Sequence, residues 1–68
     1  MAETSTWTVT GMTCAHCVAS VTEELEELDG VQSVEVTLDG GRVQVISETP
    51  LERDRVEAAV TEAGYALA

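Results

Sequence analysis

The residues of this chain that could do chemistry are two cysteines three positions apart. Cys14 and Cys17 enclose Ala15 and His16, and the 68-residue sequence has no other cysteine. Thiolates bind soft cations and also exchange disulfides, so the CxxC pair has two chemical uses. A disulfide between the two would close so short a loop that it would contribute only about 2 kcal/mol to stability. The pair is therefore predicted to do chemistry and not to hold the fold together.

The number of available donors indicates which metal would suit this pair. Structural zinc takes four ligands and iron–sulfur clusters take four cysteines, whereas the chain offers two cysteines and one histidine. Cu(I) prefers sulfur ligands, and two thiolates in a line satisfy it. The residues alone leave two other uses open. One is a thiol-disulfide redox centre, and the other is one half of a zinc site shared by two chains.

The pair is predicted to lie where a first strand passes into a first helix. Alternation over residues 6–10 predicts the strand, and Gly11 breaks it. Apolar residues then recur with helical spacing up to a stop at Asp29-Gly30. The apolar positions of this helix are Val18, Val21, Leu25 and Leu28. A helix start has unpaired backbone N–H groups and the positive end of the dipole, so thiolates at Cys14 and Cys17 should be stabilised there.

A hairpin is predicted to follow the first helix. Residues 34–38 and 42–46 are the second and third strands, and Asp39-Gly40-Gly41 is the turn between them. The two strands should pair antiparallel. Ile46 breaks the alternation and is interpreted as a strand-end residue that lies under a helix.

The second helix is predicted to begin with a capping box. Thr49 and Glu52 should exchange side-chain and backbone hydrogen bonds, with Pro50 at the first helical position. Gly64 ends the helix and residues 65–67 form a closing strand. The predicted buried stripe of this second helix is Val56, Ala59, Val60 and Ala63. The element order predicts an α+β, ferredoxin-like βαββαβ sandwich, with two helices on one face of a four-stranded antiparallel sheet.

The acidity of the chain excludes several classes of partner. Thirteen Asp and Glu residues against three Arg and no Lys give a formal net charge of −10. Phosphate backbones and anionic lipid surfaces repel such a chain, so nucleic-acid binding is not expected. Membrane insertion is not expected either, because no apolar stretch approaches the ~20 residues needed to span. Residues 1–5 lack the basic region and apolar run of a signal peptide. We expect one monomeric domain of residues 1–68 in the cytoplasm, whose acidic residues form a solvated face or steer docking onto a basic partner.

The segment Gly11-Met12-Thr13-Cys14-Ala15-His16-Cys17 resembles the GMTCxxC signature of the heavy-metal-associated domain family. The resemblance continues through Gly30-Val31, Val34 and Gly64-Tyr65, and it is strongest to free-standing bacterial copper chaperones. It implies a binding module, not an enzyme, that carries Cu(I) on Cys14 and Cys17. The implied partner is the matching domain of a copper-transporting P-type ATPase, reached by thiolate exchange. A copper-sensing regulator and a copper-bridged homodimer are further candidate partners.

Three residues are expected to surround the cysteines. Met12 is interpreted as a buried residue and not a thioether ligand, since methionine fills irregular core gaps, and the resemblance implies that it is a packing anchor beneath the loop. His16 should project outward, where it is either a plain solvated residue or a group that tunes the thiolates or binds metal when two molecules meet. The resemblance implies that Tyr65 lies close to the metal loop. There its hydroxyl would donate towards a thiolate, the alternative being a core aromatic.

Overall fold

The computed structural model describes residues 2–68, and the chain folds as a two-layer sandwich. The elements are β1 (Glu3–Thr10), α1 (Ala15–Glu26), β2 (Val31–Thr37), β3 (Arg42–Ser47), α2 (Arg53–Glu62) and β4 (Ala66–Leu67). The strands form one sheet in the order β2-β3-β1-β4, and each observed pairing is antiparallel. This confirms the predicted ferredoxin-like arrangement. The expected domain of residues 1–68 starts at Met1, which lies outside the described residues.

The first strand is longer than the sequence pattern predicts. It begins at Glu3 and not at Thr6, because the six residues of β3 pair along it from Ser47 opposite Glu3 to Arg42 opposite Thr8. The closing strand is shorter than predicted, since β4 pairs only with the last two residues of β1. The first helix also stops earlier than the predicted Asp29-Gly30 boundary, at Glu26, and a short turn leads from it into β2.

The core is built mainly of valine. One face of the sheet contributes Val9, Val43 and Val45, and both helices pack on that face. The helices contribute Val21, Leu25, Val56, Ala59 and Val60. The interpretation of Ile46 is wrong: in β3 the buried positions alternate with Ile46, which places its side chain on the open face of the sheet. The alternation therefore continues through β3, and Ser47, only 1% exposed, occupies the position that faces the helices.

The predicted capping box is also wrong. The second helix begins at Arg53, its N-cap is Glu52, and no side chain caps it. Pro50 therefore lies outside the helix. The Thr49 carbonyl accepts a 2.6 Å hydrogen bond from the Ser47 hydroxyl, and Leu51 packs against the core. The segment before the helix is thus used to cross from the sheet to the helical layer and to bury Leu51, not to form a first helical turn.

The topology brings three connections to the same end of the sandwich. β1 runs towards this end and leads into the cysteine loop of residues 11–14. Since Arg42 pairs with Thr8 and Ala66 pairs with Thr10, the turn of residues 38–41 and the segment of residues 63–65 lie there too. We call this the cysteine end, and the opposite end, with residues 27–30 and 48–52, the distal end. No helix within residues 2–68 has both the length and the apolar character to cross a bilayer.

Candidate metal centre

The cysteine loop places one thiol at the surface and the other against the core. Cys14 is the N-cap of α1, with an extended backbone, and its side chain is exposed. Cys17 lies on the buried stripe of the same helix, four residues before Val21 and eight before Leu25, and is 8% exposed. The difference in exposure follows from helical spacing, because positions four apart share one face.

The two sulfur atoms lie close together at the start of α1. Their Sγ atoms are 3.5 Å apart, and both residues are free thiols. The Cys14 carbonyl already accepts the first helical hydrogen bonds, from the backbone N–H groups of Cys17 and Val18. The other N–H groups of a first turn have no partner within the helix, and together with the helix dipole they favour negative charge at this position.

The electrostatic surroundings favour the thiolate form of Cys17. A hydrogen bond from the Tyr65 hydroxyl, a backbone hydrogen bond at Thr13 and a hydrogen bond with the Cys14 thiol lower the pKa of Cys17 to about 6, although burial opposes the shift. The same hydrogen bond to Cys17 raises the pKa of Tyr65, because an ionised phenol could not donate it. Cys17 is therefore mainly a thiolate at neutral pH.

Tyr65 reaches the cysteines because of how α2 ends. Gly64 has a φ of +97°, and the Tyr65 N–H donates to the Val60 carbonyl while the Gly64 N–H donates to the Thr61 carbonyl. These are the two bonds of a Schellman motif, which turns the chain sharply after a helix. The turn directs the tyrosine ring towards the cysteine loop. There the ring lies beside Gly11, where an added Cβ would be in ordinary contact, 3.4 Å from the ring atom Cδ1 of Tyr65.

The other two predicted neighbours of the cysteines occupy different environments. Met12 is half-buried and packs against the hydrophobic core, whereas His16 is exposed. In residues 2–68, no three or more His, Cys, Asp and Glu side chains are grouped so that they could hold a metal ion. The described part of the chain therefore gathers the two sulfurs as its candidate ligands, without a third donor from these residue types.

The hairpin turn between β2 and β3 is a neighbour of the site that the sequence reasoning missed. Leu38 is 40% exposed there, and Gly41 packs so closely on the Val9 carbonyl that a Cβ would lie 2.0 Å from its oxygen. The signal was available in the sequence, because in a βαββαβ fold the turn between the second and third strands lies at the end where the first strand stops.

The comparisons with known proteins agree with this arrangement. The model of the heavy-metal-associated domain matches residues 6–66. The chain belongs to the heavy-metal-associated domain family. The matched range contains both cysteines, Met12, His16 and Tyr65.

Several relatives of this family member are similar in both sequence and length. It is 42% identical over 59 residues to the COP-associated protein of Helicobacter felis, and the match covers 87% of this chain and 89% of the relative. It is 38% identical over 71 residues to the copper chaperone CopZ of Bacillus subtilis, with 97% of each chain covered. It is also 39% identical to mercuric reductase of Shigella flexneri, where the match spans 90% of this chain but 11% of that protein.

Solved structures share the fold of this heavy-metal-associated domain. A CopZ metallochaperone superposes with a TM-score of 0.89 at 30% identity, covering 97% of this chain and all of the other. The N-terminal domain of ZntA superposes with a TM-score of 0.88 at 32% identity, covering this whole chain and 92% of the other. The two helices on a four-stranded antiparallel sheet are thus the family fold.

Proposed function

We propose that this protein is a cytoplasmic Cu(I) chaperone. It holds one Cu(I) between the sulfurs of Cys14 and Cys17 and delivers it to the heavy-metal-associated domain of a copper-exporting P-type ATPase. The observation that carries the proposal is the geometry of the pair: two free thiols with Sγ atoms 3.5 Å apart at a helix start. The similarity to copper chaperones over nearly the whole chain supports it.

The ligand set favours Cu(I) over other metals. Thiolates are soft ligands and Cu(I) is a soft cation. A structural zinc site would need four ligands, and the residues described here gather two sulfurs. Residues 10–22 around the cysteines contain no Asp or Glu, and within residues 2–68 no carboxylate is grouped with the two cysteines as a third ligand. A two-sulfur site also leaves the metal open to a further thiolate.

Transfer would proceed by exchange of sulfur ligands. A thiolate of the acceptor approaches from the side of exposed Cys14 and forms a copper–sulfur bond while both original bonds persist. The bond to Cys14 then breaks, and after a second acceptor thiolate binds, the bond to Cys17 breaks as well. Copper stays monovalent throughout, and each released thiolate takes up a proton according to its pKa. A second copy of this chain can occupy the acceptor's position, which gives a copper-bridged homodimer.

A thiol-disulfide oxidoreductase is the second candidate, because the short distance between the sulfurs also suits disulfide formation. In such an enzyme the exposed thiol is the nucleophile and needs a lowered pKa. Here the lowered pKa belongs to Cys17, the buried thiol. The hydrogen bonds that favour a thiolate thus act on the sulfur that a substrate disulfide reaches less easily, and the similarity to copper chaperones over nearly the whole chain favours metal binding over redox exchange.

An anaerobic titration with Cu(I) against a chromogenic chelator tests the proposal. The reduced protein should take up one Cu(I) per chain. Cys14→Ser or Cys17→Ser should weaken binding by more than about 100-fold, because about 100-fold is the most that loss of a residue supporting a metal ligand usually costs. Ser20→Ala on the same helix is the matched control and should bind as the parent does. Unchanged uptake in either cysteine variant, or turnover of a disulfide substrate without copper uptake, would overturn it.

A further inference from the structure

The acidic residues of this protein are concentrated away from the cysteines. The stretch from Thr10 to Thr22 contains no Asp or Glu, whereas the next seven residues contain five. With thirteen acidic residues and three arginines, at least ten carboxylates have no arginine of their own. A basic partner would therefore be attracted to the helical layer and the distal end, and not to the metal loop.

A groove between the two helices lies within this acidic region. It has a volume of about 320 Å³ and is lined mainly by apolar atoms. Leu28, Ala58 and Ala59 form its apolar part, because the small side chains of α2 leave a gap where the helices pack. The groove is shallow and broadly open to solvent, so it can receive an apolar side chain from a partner but does not enclose a small molecule.

The border of the groove is negatively charged. Glu24, Glu27 and Glu62 border it, against the single positive charge of Arg55. Glu24 lies ten residues beyond Cys14, which is about 15 Å along the helix axis. On α1 the groove therefore lies well away from the cysteine loop, and on α2 it extends as far as Glu62, the last residue of that helix.

We propose that this inter-helical groove is a docking site for a basic amphipathic segment of a partner protein. One apolar side chain of that segment enters the gap over Leu28, Ala58 and Ala59. Its lysines or arginines pair with Glu24, Glu27 and Glu62. The groove is distinct from the cysteines, so the partner's segment can bind there whether or not the protein carries copper.

Charge complementarity and shape together select this occupant. A purely basic segment would gain only weak, salt-screened attraction, since exposed ion pairs are worth about 0.2–1 kcal/mol each. A purely apolar segment would bring no positive charge to pair with the glutamates at the border of the groove. Only a segment with both features uses both parts of the groove.

The test is a nuclear magnetic resonance titration of the whole protein with a short synthetic amphipathic helix of Leu, Ala and Lys. The expected shifts are at the amides of Leu28, Ala58 and Ala59, equal in the apo and copper-loaded protein and weaker at high salt. Two matched peptides, one with Ser in place of Leu and one with Glu in place of Lys, should bind weakly or not at all. Shifts centred on residues 11–17, or equal binding of all three peptides, would overturn the proposal.

Paired variants separate the groove from the overall charge. Glu24→Gln with Glu27→Gln should weaken binding about fivefold. Glu23→Gln with Glu26→Gln removes the same charge from the same helix outside the groove and should change binding by less than about twofold. Ala58→Gln keeps the charge and the helix but fills the gap, and should also weaken binding. Equal weakening by both pairs would show a general charge effect and refute the proposed site.

Discussion

The two ends of this domain are built by different means. The cysteine end contains four glycines with positive φ, Gly11, Gly40, Gly41 and Gly64, and its geometry depends on backbone turns and close packing. The distal end and the nearby helical surface carry most of the acidic side chains. Carboxylates beside the cysteines would raise their pKa by like-charge repulsion. Keeping the charge away thus allows a helix start and one tyrosine to stabilise thiolates in a strongly acidic protein.

The largest effect on stability is expected from the packing of the cysteine end. Gly41→Ala would place a Cβ 2.0 Å from the Val9 carbonyl oxygen at a φ of +66°. The strained backbone costs about 1–2 kcal/mol and the forced overpacking about 1–3 kcal/mol. We expect a loss of about 3 kcal/mol in the free energy of unfolding, measured by urea denaturation.

Gly40→Ala is the matched control for that variant. Its φ is +82°, but a Cβ there would meet nothing within 4 Å, so only the backbone cost of about 1 kcal/mol should appear. Equal losses in the two variants would show that close contact with Val9 does not hold the hairpin against the site.

The next effect concerns the ionisation of the site. Tyr65→Phe removes the hydroxyl that donates to Cys17, so the pKa of this thiol should rise from about 6 towards its ordinary value. The thiolate absorbance at 240 nm, followed against pH in the reduced apo protein, measures the change. An unchanged titration of Cys17 would contradict the assigned hydrogen bond.

The same variant should change how stability depends on pH. Because folding lowers the pKa of Cys17, the thiol contributes stability that is fully present above the unfolded pKa of about 8.5 and is lost as the pH falls through about 6. Urea denaturation of the reduced protein at several pH values between these limits should show stability rising with pH. This rise in stability should be smaller in Tyr65→Phe. In Cys17→Ser the part of the rise that comes from ionisation of the Cys17 thiol should be absent.

The smallest effect is expected at the far end of α1. Glu26 is the last residue of the helix, exposed, and lies near Glu23 and Asp29. Glu26→Lys replaces a repulsive charge by one that suits the negative end of the helix dipole, which should stabilise the fold by about 0.5–1 kcal/mol. Glu26→Gln should give a smaller gain. Copper affinity should stay unchanged in both, and a change in it would show that the two ends are coupled.

Periodicity and turn residues in the sequence predict the order of the elements and the position of the cysteines at a helix start. The start of α2 could not be predicted in this way, because Thr49 and Pro50 suit a helix start locally while the tertiary structure uses this segment to bury Leu51. Ile46 was misplaced for a related reason. Its apolar character suggested burial, whereas its register in β3 puts it on the open face.

The composition of the site and its place at a helix start were predictable from the residues, whereas the Tyr65 contact was expected only from the family resemblance. The spacing of Cys14 and Cys17 indicates a shared ligand. The lowered pKa of Cys17, however, depends on a hydroxyl from the other end of the chain, delivered by the turn at Gly64. A contact of this kind follows from the three-dimensional arrangement of two loops and has no local signal in the sequence.

X-ray absorption at the copper edge of the anaerobically loaded protein tests the central claim most directly, because it reports the type and number of atoms bound to the metal. With one Cu(I) per chain, the account predicts a first shell of two sulfur atoms from Cys14 and Cys17. A shell dominated by nitrogen or oxygen would contradict it.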